Sequence, residues 1–166
     1  MRVAQTERAR AEGERRKEKP MIRPAQLSDA PAIMSLLKQV GAVHQKIRPD
    51  IFGEQKYTEE ELAKLFDDEK APVFVYEEDG KVLGHLFCAV KNFAKVKTFY
   101  IEDFCVDENA RGKGIGTQLF EFAKDYAKEI GCYNLILCVW EGNDSAKAFY
   151  DKMGMGVQRT VRETIL

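Results

Sequence analysis

The 166-residue chain predicts a mixed α/β sandwich, an antiparallel meander followed by one βαβ unit. Three observations lead there. Residues 73–106 hold three strand-like apolar runs joined by short turns. The pattern then switches to helical spacing, with Ile115, Leu119, Phe122, Ala123, Tyr126 and Ile130 on one stripe. Tyr133–Val139 follows as a near-continuous apolar run, as expected for a buried parallel strand.

The expected element order is β-α-α-β-β-β-α-β-α-β. Residues 1–20 have almost no large apolar side chains and read as a charged, solvated extension, with Met21 as a natural start. The domain proper spans residues 21–166 and opens with a strand at Met21–Ala25. Ser28 or Asp29 caps the next helix, Pro31 suits its first turn, and Ile33, Leu36, Leu37 and Val40 form its apolar stripe. Residues 41–57 read as an irregular connection carrying His44, Arg48, Phe52 and Tyr57. Thr58 and Glu61 make a capping box for a second helix with Leu62, Leu65 and Phe66 inward. Val73–Tyr76 is a strand, Asp79-Gly80 a hairpin turn, and residues 82–91 and 96–106 complete the meander. Gly131 ends the long helix. Asn143-Asp144-Ser145 starts another, with Ala146, Phe149 and Tyr150 on its inner side, and Gln158–Ile165 is expected as a last strand.

Composition narrows the function classes. Residues 1–20 carry seven Lys/Arg and four Asp/Glu, leaving 19 basic and 23 acidic residues for the rest. An acidic globular part argues against nucleic acid, whose binding rests on phosphate neutralisation, and favours cationic substrates. No apolar run approaches the roughly 20 residues of a membrane-spanning helix, and the first residues lack the apolar core of a secretory signal. Cys88, Cys105, Cys132 and Cys138 form no C-x-x-C pair and read as small buried hydrophobes in a reducing cytoplasm. With two histidines and no ligand spacing, no metal site is expected.

The segment with chemical content runs from Tyr100 to Thr117, a strand, a short acidic link and a glycine-rich turn that opens a helix. Gly112, Gly114 and Gly116 allow close approach of a ligand to the backbone. Unpaired N–H groups and the dipole at a helix start make an anion site, and Arg111 and Lys113 add positive charge beside it. The physical reading is a pyrophosphate cradle. It is not a Rossmann fingerprint, because G-x-G-x-x-G fails at Thr117, and it is not a Walker A loop.

Arg111-Gly-Lys-Gly-Ile-Gly116 resembles the R-x-x-G-x-G/A motif of the GNAT acetyltransferases, which binds the pyrophosphate of coenzyme A. Asn143-Asp-Ser-Ala-Lys-Ala-Phe-Tyr-Asp-Lys-Met-Gly154 is similar to that family's N-x-x-A-x-x-F-Y-x-x-x-G segment. The resemblance covers residues 21 to the end and is sharpest over 100–154. It implies a GNAT fold and acetyl-CoA as cosubstrate. Arg111, Gly112, Lys113, Gly114, Ile115, Gly116 and Thr117 would hold the pyrophosphate. The backbone of Phe104, Cys105 and Val106 would line the pantetheine and stabilise the oxyanion. Asn143 and Ser145 would lie at the cofactor, and Tyr150 near its sulfur. Asn143 and Tyr150 are two helical turns apart and share a face.

The I-E-D-F run is similar to polyamine acetyltransferases, which makes Glu102 the candidate acid/base group and Asp103 the lesser one. Strand alternation is expected to send the two to opposite faces. Without the resemblance, Tyr150 reads as core beside Phe149, and the plain reading of Glu102 is an edge-of-core carboxylate paired with a lysine. His44 falls in the segment that walls the acceptor site in this family, and His85 reads as structural. The expected acceptor is a small-molecule amine, and the acidic charge of the domain points to a cationic one. A peptide acceptor, a non-catalytic acyl-CoA-binding module and a dinucleotide-dependent enzyme are the other readings. Homodimers are common in the family.

Overall fold

The computed structural model describes residues 20–53 and 57–166. All of the expected N-terminal extension except Pro20 therefore lies outside the described residues. The elements are β1 (Met21–Pro24), α1 (Ala30–Ile47), α2 (Glu59–Phe66), β2 (Val73–Glu78), β3 (Lys81–Phe93), β4 (Val96–Val106), α3 (Ile115–Glu129), β5 (Asn134–Leu137) and α4 (Asp144–Lys152). They build one sheet in the order β1-β2-β3-β4-β5. The first four strands are antiparallel neighbours, and β5 joins β4 in parallel. This is the mixed α/β class expected.

Local chemistry explains most of the boundaries. Asp79 and Gly80 take positive φ at 51° and 71°, as a tight hairpin between β2 and β3 requires. The Thr58 capping box forms in both directions: Glu61 N–H donates to Thr58 Oγ1 at 3.2 Å, and Thr58 N–H to Glu61 Oε2 at 2.8 Å. Helix α1 does not stop at Val40 as expected but runs through Gly41 to Ile47. One glycine costs a helix only about 1 kcal/mol. The residues from there to Ile47 contain no helix breaker, and Val40, His44 and Ile47 continue the i, i+4, i+7 stripe.

The sheet is covered on both faces. On one face Phe74, Leu86, Phe99 and Ile101 pack against Leu119, Phe120 and Ala123 of α3. On the other, Val73, Val75 and Phe87 pack against Ile33 and Leu37 of α1 and Leu62 of α2. Gly84 on β3 permits the tight fit to α3: a Cβ there would stand 2.9 Å from Leu119 Cδ1 and 3.0 Å from the Cys105 carbonyl.

Two expectations fail at the C-terminal end. Residues 158–165 form no strand; the chain past Gly154 makes no regular element. Val157, Val161 and Ile165 are exposed at 90%, 80% and 78%, so the apolar alternation that suggested a strand has no sheet face to bury against. The tail is held by side chains instead. Arg48 Nη1 meets Glu163 Oε2 at 2.7 Å, and the Arg159 guanidinium lies over Phe93. The loss shows in β5, which pairs over only four residues, all half-buried rather than fully buried.

A charged clamp fixes the start of the domain. Arg23 on β1 donates from Nη1 to Asp29 Oδ2 at 2.7 Å and from Nε to Glu77 Oε2 at 2.8 Å. The Arg23 hydrogen bonds hold the Asp29 carboxyl below its usual range, against the opposing effect of burial. A depressed folded-state pKa stabilises the fold above the unfolded value of about 3.9 and fades as pH falls through the folded value. Asp29→Asn should therefore cost about 1.5–3 kcal/mol at pH 7 by urea titration. That deficit should shrink toward zero below about pH 4. A deficit constant with pH would mean the loss is one of packing, not charge.

Candidate active site

The site begins with a failure of the sheet. β5 runs beside β4 only from Thr98–Asn134 to Ile101–Leu137. Past that point β4 continues for five more residues with β3 on one side only. At the same place the β3–β4 register shifts. Phe87 faces Asp103 and Cys88 faces Ile101, which leaves Glu102 as an extra residue without a partner strand position. This is a β-bulge, and it resets the alternation of side chains. Ile101 and Phe104 consequently join the α3-side core, while the Cys105 thiol turns the other way and donates to the Leu36 carbonyl of α1 at 3.4 Å.

The bulge corrects the expectation that Glu102 and Asp103 point to opposite faces. Both border the cleft that opens where the two strands part. Phe104, Asn143 and Tyr150 border it too, as do Trp140 and Cys138 just past β5. Four of the expected site residues (Glu102, Phe104, Asn143 and Tyr150) thus come together around one space, reached from α1 through Val40 and His44.

The two carboxylates differ in setting. Glu102 is exposed and paired with Lys91, Nζ to Oε1 at 2.7 Å. Asp103 is 5% exposed and lies 2.8 Å from Nε2 of His85, itself fully buried. A carboxylate can only accept, so Nε2 carries the proton. Tyr150 packs among Phe104, Phe120 and Phe149, tilted or edge-on, at ring distances of 5.2–6.3 Å. Burial, and then the Asp103 charge, push its phenol well above the usual tyrosine range, so it stays protonated at neutral pH and can act as a donor.

The glycine turn is shaped as expected at its first two glycines. Gly112 and Gly114 hold φ of 77° and 82°, and a Cβ at either would meet nothing within 4 Å. No side chain caps α3 at Gly114, and the first intrahelical bond comes from the Gln118 N–H. The N–H groups of Ile115, Gly116 and Thr117 precede it, with Lys113 exposed alongside. This open, uncapped helix start fits a pyrophosphate. Gly116 does a different job. A Cβ there would sit 3.3 Å from the Phe149 ring and 3.7 Å from that of Phe104, so this glycine lets α3 close against α4 behind the cleft. Arg111 folds back, its Nε donating to the Val106 carbonyl at 3.0 Å.

Asn143 borders the cleft, and its Oδ1 also caps α4, accepting from Ala146 N–H and Ser145 Oγ at 3.3 Å each. Ser145 is thereby engaged in the cap and does not border the cleft. Burial drives the Cys105 thiol up to about 12, which removes it as a nucleophile and leaves only its backbone for ligand contact. The reading of the cysteines as buried holds for Cys88 and Cys105. Cys132 is half-buried, and Cys138 is exposed on the cleft wall.

Sequence reasoning undervalues Asp103 and His85. Their signal is a histidine inside the apolar run Val82–Val90 and a carboxylate inside a strand, two polar groups that burial obliges to find each other. Trp140 and Phe52, whose rings meet edge-on at 5.3 Å, carry no motif that marks them as site walls. Among the described residues no group of His, Cys, Asp and Glu is placed to hold a metal, and no helix is long and apolar enough to cross a membrane.

Known proteins are similar to this chain in sequence and fold. Residues 38–155 match the Acetyltransferase (GNAT) family. An uncharacterized N-acetyltransferase of Bacillus subtilis, YhfO, is 28% identical over 80% of this chain and 87% of its own length. Thialysine N-epsilon-acetyltransferase of Bos taurus is 27% identical over 81% and 82%. Glucosamine 6-phosphate N-acetyltransferase of Arabidopsis thaliana is 37% identical over 58% of this chain and 64% of its own. Among solved structures, a single-residue mutant of the BH1408 protein from Bacillus halodurans superposes with a TM-score of 0.81 at 34% identity, covering 88% of this chain and 99% of that one. The uncapped glycine turn, the parted strands and these relatives agree: the chain belongs to the GNAT family of acetyltransferases and is an acetyl-transferring enzyme.

Proposed function

We propose that the protein moves the acetyl group of acetyl-CoA to the primary amine of a small cationic molecule, by direct attack in a ternary complex. One observation carries this reading: two carboxylates and a protonated tyrosine border a single cleft, and Phe104 on its wall lies against Gly116 in the first turn of a helix with an uncapped start. The homologues named for acetylating glucosamine 6-phosphate and thialysine act on small amines, which supports the same acceptor class here.

Acetyl-CoA supplies an activated acyl group, as a thioester. The chain has to do the rest. An alkyl ammonium has a pKa near ~10.4, so about one molecule in a thousand is a free amine at neutral pH, a cost of roughly 4 kcal/mol. A positioned base recovers part of this. Glu102, acting through water, takes that role. Its exposed pairing with Lys91 is of a kind worth about 0–1 kcal/mol, which leaves the carboxylate able to turn toward the cleft. Backbone N–H groups of Phe104, Cys105 and Val106, on the part of β4 that has lost β5, stabilise charge at the carbonyl oxygen. Tyr150 gives its proton, or a hydrogen bond, to the departing thiolate. The N-terminus of α3 and the turn before it, Gly112–Thr117 with Lys113, hold the pyrophosphate. Asn143 and Ser145 serve through the α4 cap, which places Tyr150.

Three measurements test the reading. Titrating acetyl-CoA into the protein by calorimetry should give micromolar binding, and adding amines should then release free thiol; no binding would remove the acetyl-transfer assignment. Glu102→Gln should lower kcat about 10²–10⁴-fold with acetyl-CoA affinity nearly intact. An unchanged rate across pH would exclude Glu102 as the base. Tyr150→Phe should slow turnover by about tenfold or more; a wild-type rate would make Tyr150 a packing residue only.

A further inference from the structure

A second cavity, of about 230 Å³, lies on the α1 side of the sheet. Met34 and Leu37 of α1, Phe52 and Tyr57 of the connection that follows, and Asp103 of β4 are among its lining residues. Val40, His44 and Asp103 border both this cavity and the cleft between the parted strands. Asp103 therefore stands where the two spaces meet.

We propose that this cavity is the acceptor site and that it takes a primary amine on a short apolar skeleton, aliphatic or aryl, with the ammonium at Asp103 and His85 as the positioning residue that fixes the carboxylate. The proposal deepens the acetyl-transfer reading and rests on it.

Four features argue for this class. Among the described residues, Asp103 is the one carboxylate on the cavity's lining, and an ammonium drawn into the cavity has its partner there. The lining is largely carbon and aromatic, and one lysine, Lys38, is its only basic Lys/Arg group among the described residues. That suits a hydrocarbon body. The volume falls below the roughly 300–1,000 Å³ of sites for drug-sized ligands, which restricts the body to a compact one. Finally, the aromatic shell is continuous beneath the cavity: Tyr57 stacks on Phe87 at 5.7 Å, and Phe87 meets His85 edge-on at 5.0 Å.

His85 completes the argument. Its Nε2 is 2.8 Å from Asp103 Oδ1, and its Nδ1 is buried with no hydrogen-bond partner. The ring's hydrogen bonding is thus directed wholly at Asp103. A hydrogen bond to an ionised acceptor in such a setting fixes both the orientation and the charge of the carboxylate. With the ammonium drawn to Asp103, its nitrogen lies at the entrance to the cleft that Glu102 and Tyr150 border.

The test is calorimetric binding to the full chain saturated with coenzyme A, using phenethylamine, its neutral counterpart phenethyl alcohol, spermidine and glucosamine 6-phosphate as probes. Phenethylamine should bind at least about tenfold more tightly than each of the other three. Asp103→Asn should abolish the difference between amine and alcohol. His85→Phe should weaken phenethylamine binding with coenzyme A affinity unchanged. His85→Gln, which can present a donor near the same position, should restore most of the loss. Tighter binding of spermidine or of the sugar phosphate, equal binding of amine and alcohol, or no binding of phenethylamine would overturn the proposal, and none of these needs a variant that folds. A chain that fails to bind coenzyme A would bring down the acetyl-transfer reading as well, whereas coenzyme A binding with the wrong amine preference would sink the acceptor assignment alone.

Discussion

Everything functional in this molecule depends on β4 losing a neighbour before it ends. Strand β5 accompanies it only as far as Ile101, and the bulge at Glu102 falls on the next residue. A strand with an open side exposes backbone N–H and C=O groups that must find other partners. Here the opening is lined by side chains from both faces of the sheet, Val40 and His44 from α1 and Ala146 and Tyr150 from α4. The break in pairing therefore joins two compartments that an intact sheet would keep apart.

The bulge adds a second effect. Without it, Phe104 would leave the α3-side core and only one carboxylate could face the cleft. With it, an exposed glutamate and a buried aspartate border the same space in unlike surroundings. Placing two carboxylates in different environments is a general way to give them different tasks. The buried one has a histidine behind it; the exposed one has a lysine and solvent.

Much of this was legible in the sequence because it is written in local patterns. The Thr58 capping box, the Asp79-Gly80 turn, the β4 limits and the end of the long helix near Gly131 each follow from residues within a few positions of one another. So does the shape of the glycine turn, since Gly112, Gly114 and the helix start are contiguous. What failed was set at a distance. The bulge is a register choice between two strands and leaves no trace in the spacing of β4 alone, so Glu102 and Asp103 were separated by an alternation that the fold interrupts. Residues 158–165 alternate like a strand, but a strand also needs a neighbour, and none is beside it. Helix α1 outran its expected end because packing of Val40, His44 and Ile47 outweighs one glycine. Gly116 sits in the motif, yet its own environment, the Phe149 ring, comes from a helix that begins only after β5.

Cys138 gives the cleft a practical consequence. It is exposed, while Cys88 and Cys105 are shut in the core with their thiols driven up by burial. Disulfide reagents that count liberated coenzyme A will therefore also find protein thiol, and the exposed one stands on the wall of the cleft. A continuous colorimetric assay would modify the catalyst while reporting on it, whereas chromatography of the acetylated product would not. Used deliberately, the same thiol is an attachment point: an environment-sensitive fluorophore at Cys138 would read occupancy of the cleft directly, without any turnover.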